Sequence, residues 1–261
     1  MNEVYIVRWP KDISAVYMHG STLKYSPNHP VYYANEVLSP GQIICSWRSL
    51  SDYLSSGISP SLPMLQAGED YTIDLKFEAD NDLPIQLQID FFDSYGEKLH
   101  SERSTEYHFR FKVPKGMVRY EIHLVNLRHH WMKFDYFSLQ RTNEKIAIEK
   151  VFKPHYSWIH VHSAKHIPKQ KVRFIINYGL KNTLPVSIRN DVDYEQVFVF
   201  SDGQKVEELV EEILYEFQVK RECQMTFEDG LGFYSFPREI IRKFERIRTV
   251  KRGQQDDKLD H

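Results

Sequence analysis

Cysteine is almost absent from this chain: Cys45 and Cys223 are its only two, and they lie far apart. Two such residues supply neither a disulfide framework nor the four ligands of a structural zinc site, so a reducing compartment is the simpler expectation. Long apolar runs are also missing, because no segment approaches the ~18 residues that a membrane-spanning helix needs. Residues 1–12 show no apolar signal core. We therefore expect a cytoplasmic protein that at most contacts the inner face of the membrane and has no transmembrane segment.

An excess of charge of one sign is lacking too, since 34 Lys and Arg residues against 36 Asp and Glu residues give a net charge of −2. Without a basic field, nucleic acid is not an expected partner. The chain also lacks a nucleophile elbow and a phosphate-binding loop, because Gly230 and Gly232 stand without a third glycine or a lysine. Asp90 and Asp93 form the kind of acidic pair that is usually solvated in a turn. We predict that the protein is not an enzyme and binds no cofactor.

Aromatic residues are abundant: 16 Tyr, 16 Phe and 4 Trp make up 14% of the chain. Such enrichment favours β structure. Apolar and polar residues alternate over 71–77, 85–91, 109–113 and 118–124, which is typical of strands with one face in a core. Turn residues rather than helical patterns separate these runs. We predict a mainly β fold, with residues 1–141 forming an antiparallel, jelly-roll-like sandwich.

The remainder of the chain divides into three segments. In residues 142–170, Lys and His alternate with isolated aromatic residues and two prolines interrupt the run. We interpret this segment as a linker or an edge segment. Residues 171–250 are predicted to form a smaller α/β region, and residues 251–261 a disordered tail.

The first helix of the α/β region is predicted from its cap and its apolar stripe. Ser201 and Asp202 are residue types that cap helices, and Gln204 completes a capping box with Ser201. The stripe then runs from Val206 to Phe217 on one face. The segment just before it, residues 197–200, is predicted to be a fully buried strand.

A second helix is predicted from Pro237, which suits the first helical position. Its basic side chains Arg242, Lys243 and Arg246 are candidate contacts for a partner or a glycan. A basic amphipathic helix docks an acidic partner or anionic lipid, or it packs on its own domain and leaves the basic face in solvent. We favour packing, because the first helix is acidic and carries a matching apolar stripe.

Two tryptophans and a histidine are further candidate contacts. Trp47 lies in the segment CSWRS, where packing in the core or between sheets competes with a contact role. Trp131 follows His130 at the predicted end of a strand. There a flat aromatic side chain stacks on a sugar ring or caps the edge of the sandwich, and both interpretations remain open.

Four histidines lie close together in the sequence: His155, His160, His162 and His166. On a strand, His160 and His162 point to the same face, as two metal ligands do. No neighbouring Cys, Asp or Glu completes a set of ligands in the sequence. We expect an exposed polar strand face and no metal site.

One set of residues in the first half of the chain comprises Trp9, Gly20-Ser21-Thr22, Pro40-Gly41, Trp47, Ser59-Pro60, Leu62-Pro63, Gly68, Tyr71, Asp90-Phe91-Phe92, Tyr95-Gly96 and Leu124-Val125-Asn126. This set resembles one narrow protein family, the third accessory protein of the accessory Sec export system of Gram-positive bacteria. The resemblance covers roughly the first 140 residues and fades beyond residue 141.

The resemblance implies a fold like that of non-catalytic carbohydrate-binding modules. It implies a non-catalytic adaptor or chaperone in the export of serine-rich-repeat surface glycoproteins. The expected partners are two companion accessory Sec proteins, the accessory SecA motor ATPase and the serine-rich glycoprotein substrate. A free-standing carbohydrate-binding protein is the alternative, since both classes use a sandwich with exposed aromatic side chains. A hydrolase that uses the second region is a more distant third.

Overall fold

The computed structural model describes residues 2–25, 30–50, 60–80, 85–141, 147–162, 171–180, 182–190 and 192–250. The chain forms two compact units. The first unit comprises Met1–Glu144 and Lys181–Ser187, and the second comprises Lys145–Leu180 and Ile188–His261. The predicted tail, residues 251–261, lies outside the described residues.

The first unit contains eleven described strands in two sheets. They are β1 (Asn2–Val7), β2 (Ser21–Lys24), β3 (Val31–Asn35), β4 (Ile43–Arg48), β5 (Asp70–Ala79), β6 (Gln86–Phe92), β7 (Lys98–Ser104), β8 (His108–Lys112), β9 (Arg119–Val125), β10 (Trp131–Gln140) and β14 (Thr183–Ile188). A 3₁₀ turn lies at Ile13–Ala15.

Strand β10 organises the larger of the two sheets. The strands follow the order β14-β1-β10-β3-β2, and β5 pairs with both β10 and β8. The smaller sheet has the order β4-β9-β6-β7. The pairs of β10 with β1, β3 and β5 and all pairs of the smaller sheet are antiparallel. This arrangement confirms the predicted antiparallel, jelly-roll-like sandwich.

The apolar faces of the two sheets share one core. The alternating residues Leu87, Ile89 and Ile122 are at most 1% exposed, as the period of two predicts. Aromatic side chains from both sheets fill the centre, where the Trp47 ring lies 5.0 Å from the Phe137 ring in an edge-to-face contact. Such pairs add to the stabilisation that burial of their area provides.

The second unit is a mixed sheet with helices. Its strands are β11 (Ile148–Phe152), β12 (Tyr156–Val161), β13 (Lys171–Tyr178), β15 (Glu195–Ser201) and β16 (Gln224–Asp229), in the order β11-β12-β15-β13-β16. The first three strands in this order are antiparallel neighbours, whereas β13 runs parallel to β15 and β16. Residues 197–200 of β15 are buried, as predicted.

Two helices accompany this sheet. Helix α1 (Val206–Ile213) continues into a π-helical segment (Leu214–Val219), and α2 (Arg238–Val250) follows a 3₁₀ turn at Phe233–Ser235. Both helices contribute to one buried cluster with the sheet. The amides of Ile240 and Ile241 donate to the carbonyl of Pro237, so α2 begins where the sequence predicts it.

The predicted cap of α1 is wrong. Ser201 is the last residue of β15, and its hydroxyl accepts from the amide of Gly203 at 3.1 Å. The Asp202 carboxylate accepts from the amide of Gln204 at 2.8 Å. These side chains therefore cap a turn before the helix. The true N-cap is Lys205, whose side chain makes no capping hydrogen bond.

The interpretation of residues 142–170 as a linker or edge segment needs correction. Strand β11 does lie at the edge of the sheet, but β12 lies inside it between β11 and β15. All six residues of β12 are buried. A strand that is covered on both faces shows no alternation of polar and apolar residues, so the pattern that identifies a half-buried strand is absent here.

Candidate functional site

A half-buried aromatic pair that includes the candidate residue Trp131 lies on the outer side of the large sheet of the first unit. Trp131 begins β10 and pairs with Ala34 on β3, while Lys133 pairs with Tyr32. The rings of Tyr32 and Trp131 stack 6.1 Å apart with an interplanar angle of 22°. Two flat rings thus lie side by side on the sheet.

Two lysines flank this pair. The ammonium of Lys24 lies 5.6 Å from the centroid of the Tyr32 ring, and that of Lys133 lies 5.5 Å from the Trp131 ring. Both distances permit cation–π attraction. Lys133 also donates to Glu78 at 3.1 Å. We call Lys24, Tyr32, His130, Trp131 and Lys133 the aromatic face.

His130 directly precedes Trp131 in the chain, and its side chain is exposed. Its imidazole Nδ1 lies 3.0 Å from the Glu36 carboxylate, and its backbone amide donates to Asp80 at 2.9 Å. The side chains of His130 and Glu36 are 64% and 78% exposed. The aromatic face therefore combines flat apolar area with exposed polar groups, which suits a protein surface or a sugar ring rather than proton chemistry. Trp131 is the first residue of β10, so it lies at the beginning of this strand rather than at the end of the preceding one.

Trp47 does not belong to any surface. It is 0% exposed in the core, and its indole N–H donates to the carbonyl of Arg8 at 2.8 Å. A side chain that is surrounded by the core and satisfied by a backbone carbonyl cannot contact a glycan or a partner. The candidate role of Trp47 as a contact is wrong, and its packing role is the one that the structure supports.

The basic helix α2 uses part of its charge within the second unit. Lys243 donates to Glu207 on α1, while Phe244 is 1% exposed in the core that both helices share. Arg242 is exposed. The side chain of Arg246 lies outside the described residues. These contacts support the packing role that the sequence favours for this helix.

A polar cluster on the smaller sheet of the first unit was not predicted. The imidazole Nδ1 of His123 lies 2.7 Å from the Ser46 hydroxyl, and its Nε2 lies 3.5 Å from a carboxylate oxygen of Asp90. Lys98 and Ser101 already donate to that carboxylate at 2.7 and 2.6 Å. Asp90 is buried, so its expected place as a solvated acid is wrong. The alternation of β6 shows that position 90 lies on the face of the sheet opposite the core. This position in a strand, rather than in a turn, was the sequence feature that could have indicated its place.

This cluster lacks the geometry of a catalytic triad. A triad aspartate orients its histidine through a hydrogen bond, whereas 3.5 Å is long for one. Partial burial raises the pKa of Asp90, but hydrogen bonds from Lys98, Ser101 and Gln88 outweigh it and hold this pKa below its usual value. The carboxylate is thus committed to the lysine and the hydroxyl rather than to the imidazole.

The histidine cluster of the second unit differs from its prediction. Glu149 lies opposite His160 in the β11–β12 pair, and its carboxylate lies 3.4 Å from Nδ1 of His160 and 3.6 Å from Nε2 of His162. The expectation that no acidic residue completes the set is wrong, because the acid comes from the neighbouring strand. His155 instead pairs with Asp202 at 3.1 Å, and His166 lies outside the described residues.

Comparison with known proteins decides the family. The chain is 30% identical over 112 residues to an accessory Sec system protein of Streptococcus gordonii, covering 42% of this chain and 69% of that protein. A family model described as "Accessory Sec secretory system ASP3" matches residues 16–141. The chain belongs to the ASP3 family. It is accordingly a component of the accessory Sec secretory system.

Further relatives of this ASP3 family member agree. A Staphylococcus aureus protein of the same description is 26% identical over 125 residues, which are 48% of this chain and 39% of that protein. A chain in the crystal structure of accessory secretory protein 1, 2 and 3 of Streptococcus pneumoniae is 27% identical, with a TM-score of 0.50 over 53% of this chain and 96% of that chain.

The likeness of fold extends beyond the first unit. A chain of the glycosylation-associated Gap123 complex of Streptococcus agalactiae superposes with a TM-score of 0.51 over 87% of this chain and 70% of that chain, at 19% identity. This likeness concerns the fold alone. Within the described residues, no helix is both long and apolar enough to cross a membrane.

Proposed function

We propose that this chain is a non-catalytic adaptor or chaperone of the accessory Sec system. In this role it binds two companion accessory proteins, the accessory SecA motor and the serine-rich-repeat glycoprotein that is exported, and it acts in the cytoplasm. The observation that carries the proposal is the match at 27% identity to a chain solved in a structure of accessory secretory proteins 1, 2 and 3. That match covers 96% of the other chain, so nearly all of it has a counterpart here.

The polar cluster supports a role without catalysis. Ser46 and His123 are in contact, but the acid beside them is held by Lys98 and Ser101. An adaptor requires surfaces rather than a reactive group. We assign the aromatic face as the first surface to test, because tryptophan and tyrosine side chains are enriched at the centre of protein interfaces.

Co-expression with the two companion proteins tests the proposal. We expect the three proteins to co-purify, and Trp131→Ala to reduce the recovered complex at least about tenfold if Trp131 is a central anchor. Tyr95→Ala is the matched control, because Tyr95 is 91% exposed in the turn after β6 and lies outside the aromatic face. A chain that purifies alone in this experiment would contradict the adaptor role. A complex that Trp131→Ala leaves unchanged would place the interface elsewhere.

Carbohydrate binding is the second candidate, and the stack of Tyr32 on Trp131 favours it. Aromatic rings of this kind present a flat apolar surface to the face of a sugar. All four tryptophans lie within the described residues, and Trp9, Trp47 and Trp158 are at most 3% exposed. Trp131 is therefore the indole that solvent and ligands reach.

Tryptophan fluorescence separates the two candidates. A glycan bound at the aromatic face should change the emission of the isolated protein, and Trp131→Phe should abolish the change while leaving the fold intact. If the isolated chain shows no change at millimolar glycan, and the companions still co-purify, the free-standing carbohydrate-binding role is excluded and the adaptor role stands.

A further inference from the structure

The ladder of β11 and β12 brings three metal-binding side chains of the second unit together. Glu149 and His160 are direct partners in the antiparallel pair, and His162 follows two residues after His160 on the same side. The amide of His162 donates to Ala147 at 3.1 Å, so the ladder continues to this position. One possible ligand atom from each of Glu149, His160 and His162 lies within 4.8 Å of the other two.

The two distances from the Glu149 carboxylate suit a zinc ion. Zinc binds imidazole nitrogen and carboxylate oxygen at about 2.0–2.2 Å in a tetrahedron, so two ligand atoms of one ion lie about 3.3 Å apart. The Glu149 carboxylate lies 3.4 Å from His160 Nδ1 and 3.6 Å from His162 Nε2. Two histidines and one carboxylate form a donor set that zinc takes with a fourth position left open.

A second carboxylate orients the buried histidine. Nε2 of His160 lies 2.7 Å from the Glu195 carboxylate on β15, and the His160 side chain is 0% exposed. A carboxylate at this distance keeps the proton on Nε2, which leaves the lone pair of Nδ1 directed toward Glu149.

The guanidinium of Arg221 contacts both Glu149 and His160. Arg221 donates to both carboxylate oxygens of Glu149 at 2.9 and 2.8 Å, and its Nη1 lies 3.4 Å from Nδ1 of His160. The cluster thus already attracts a cation. Arg221 also donates to Glu216 at 2.7 and 3.0 Å and is 26% exposed, so it retains a carboxylate partner when it leaves Glu149.

We propose that Glu149, His160 and His162 form a zinc(II) site in the second unit. The guanidinium of Arg221 competes with the zinc ion for the carboxylate of Glu149. Water or a ligand from outside the chain completes the tetrahedron at the open position, on the side where His162 is 38% exposed. The bound ion fastens the edge strand β11 to β12. The site lies outside residues 16–141 and does not depend on the proposed adaptor role.

Titration of the full chain with Zn²⁺ alone, in competition with a chromogenic chelator after treatment with EDTA, tests the proposal. We expect one strongly bound ion per chain and a rise in the melting temperature with zinc concentration. His162→Ala should weaken the affinity by more than about tenfold, because the loss of a direct ligand exceeds the loss of an outer hydrogen bond. Arg221→Met should strengthen the affinity by about tenfold, since it removes the competing charge-assisted hydrogen bonds.

His155→Ala is the matched control. The side chains of His155 and His162 are 36% and 38% exposed, and each lies near a carboxylate of the same unit. We expect His155→Ala to bind zinc like the parent. Absence of a strong site, an equal loss in His155→Ala, or an Arg221→Met variant that binds no more tightly would each overturn the proposal. Circular dichroism of every variant verifies that the fold is retained.

Discussion

His123 is buried on β9, and this burial couples the stability of the first unit to pH. Burial lowers the pKa of His123 from its ordinary value of 6.5, although Glu121 and Asp90 act in the opposite direction. Between 6.5 and the lower pKa of the folded state, the unfolded chain binds a proton that the folded chain does not. The free energy of unfolding of the first unit is therefore unaffected by His123 above pH 6.5. It decreases as the pH falls below 6.5, because the unfolded chain then takes up a proton on His123.

We predict that the free energy of unfolding of the first unit falls by up to about 1.4 kcal/mol per pH unit in that window. His123→Gln removes the titrating group and should flatten the dependence, as measured by urea unfolding between about pH 5 and about pH 7.5. His100→Gln is the control, because the side chain of His100 is 54% exposed. A slope that persists in His123→Gln would contradict the assignment.

At the scale of single residues, the residue type alone could not show which candidate side chains lie in the core and which lie at the surface. Trp47 and Trp131 are both in strands, and only the direction in which each side chain points distinguishes a core residue from a surface residue. Glu149 is eleven positions before His160 in the sequence, so the acid that completes the histidine cluster is found only when the register of β11 and β12 is known. Spacing along the chain reveals ligands on one strand but not across two.

The start of α1 has an unfavourable backbone conformation for the residue that occupies it. Lys205, its N-cap, has a φ of 55° in the left-handed region, which costs a residue with a Cβ about 1–2 kcal/mol. We predict that Lys205→Gly stabilises the second unit by about 1 kcal/mol, because glycine adopts this conformation without strain. Thermal unfolding of the full chain, followed by amide hydrogen exchange in β12 and β15, measures the change.

Lys220→Gly is the matched control for this prediction. Lys220 directly follows the π-helical segment as its C-cap with a φ of −79°, where glycine brings only extra chain entropy and loses the contact with Glu216. We expect this variant to lose about 0.5–1 kcal/mol. Equal effects of the two substitutions would show that backbone strain at Lys205 is not the cause.

Strands with regular alternation could be predicted from the sequence, and strands without it could not. Leu87, Ile89 and Ile122 point inward as their period of two requires. In β10 the register shifts between Phe134 and Tyr136, so the inward parity changes within the strand and the pattern is lost. The same limit applies to the cap of α1, since residue types that favour capping do not specify whether a helix or a turn follows.

At the scale of the whole molecule, the chain leaves the second unit and returns to it. Residues Lys181–Ser187 belong to the first unit, where β14 pairs with β1 at the edge of the large sheet. The family resemblance ends near residue 141, so the sequence offered no reason to assign a later strand to the sandwich. A division of the chain at residue 141 would also expose β1 as an unpaired edge, a frequent origin of aggregation.

Two leucines test this assignment, because Leu184 on β14 and Leu209 on α1 are both 0% exposed. Each truncation to Ala should cost about 2–5 kcal/mol through lost burial and a cavity. We predict that Leu184→Ala accelerates amide hydrogen exchange first in β1 and β10, whereas Leu209→Ala does so first in β12 and β15, because destabilisation acts on the cooperative unit that holds the residue. Exchange measured by mass spectrometry on the full chain distinguishes the two patterns. If Leu184→Ala instead accelerates exchange first in β12 and β15, the assignment of β14 to the first unit is contradicted. The stability of β14 would then depend on the neighbouring segments of the chain rather than on its strand partner β1.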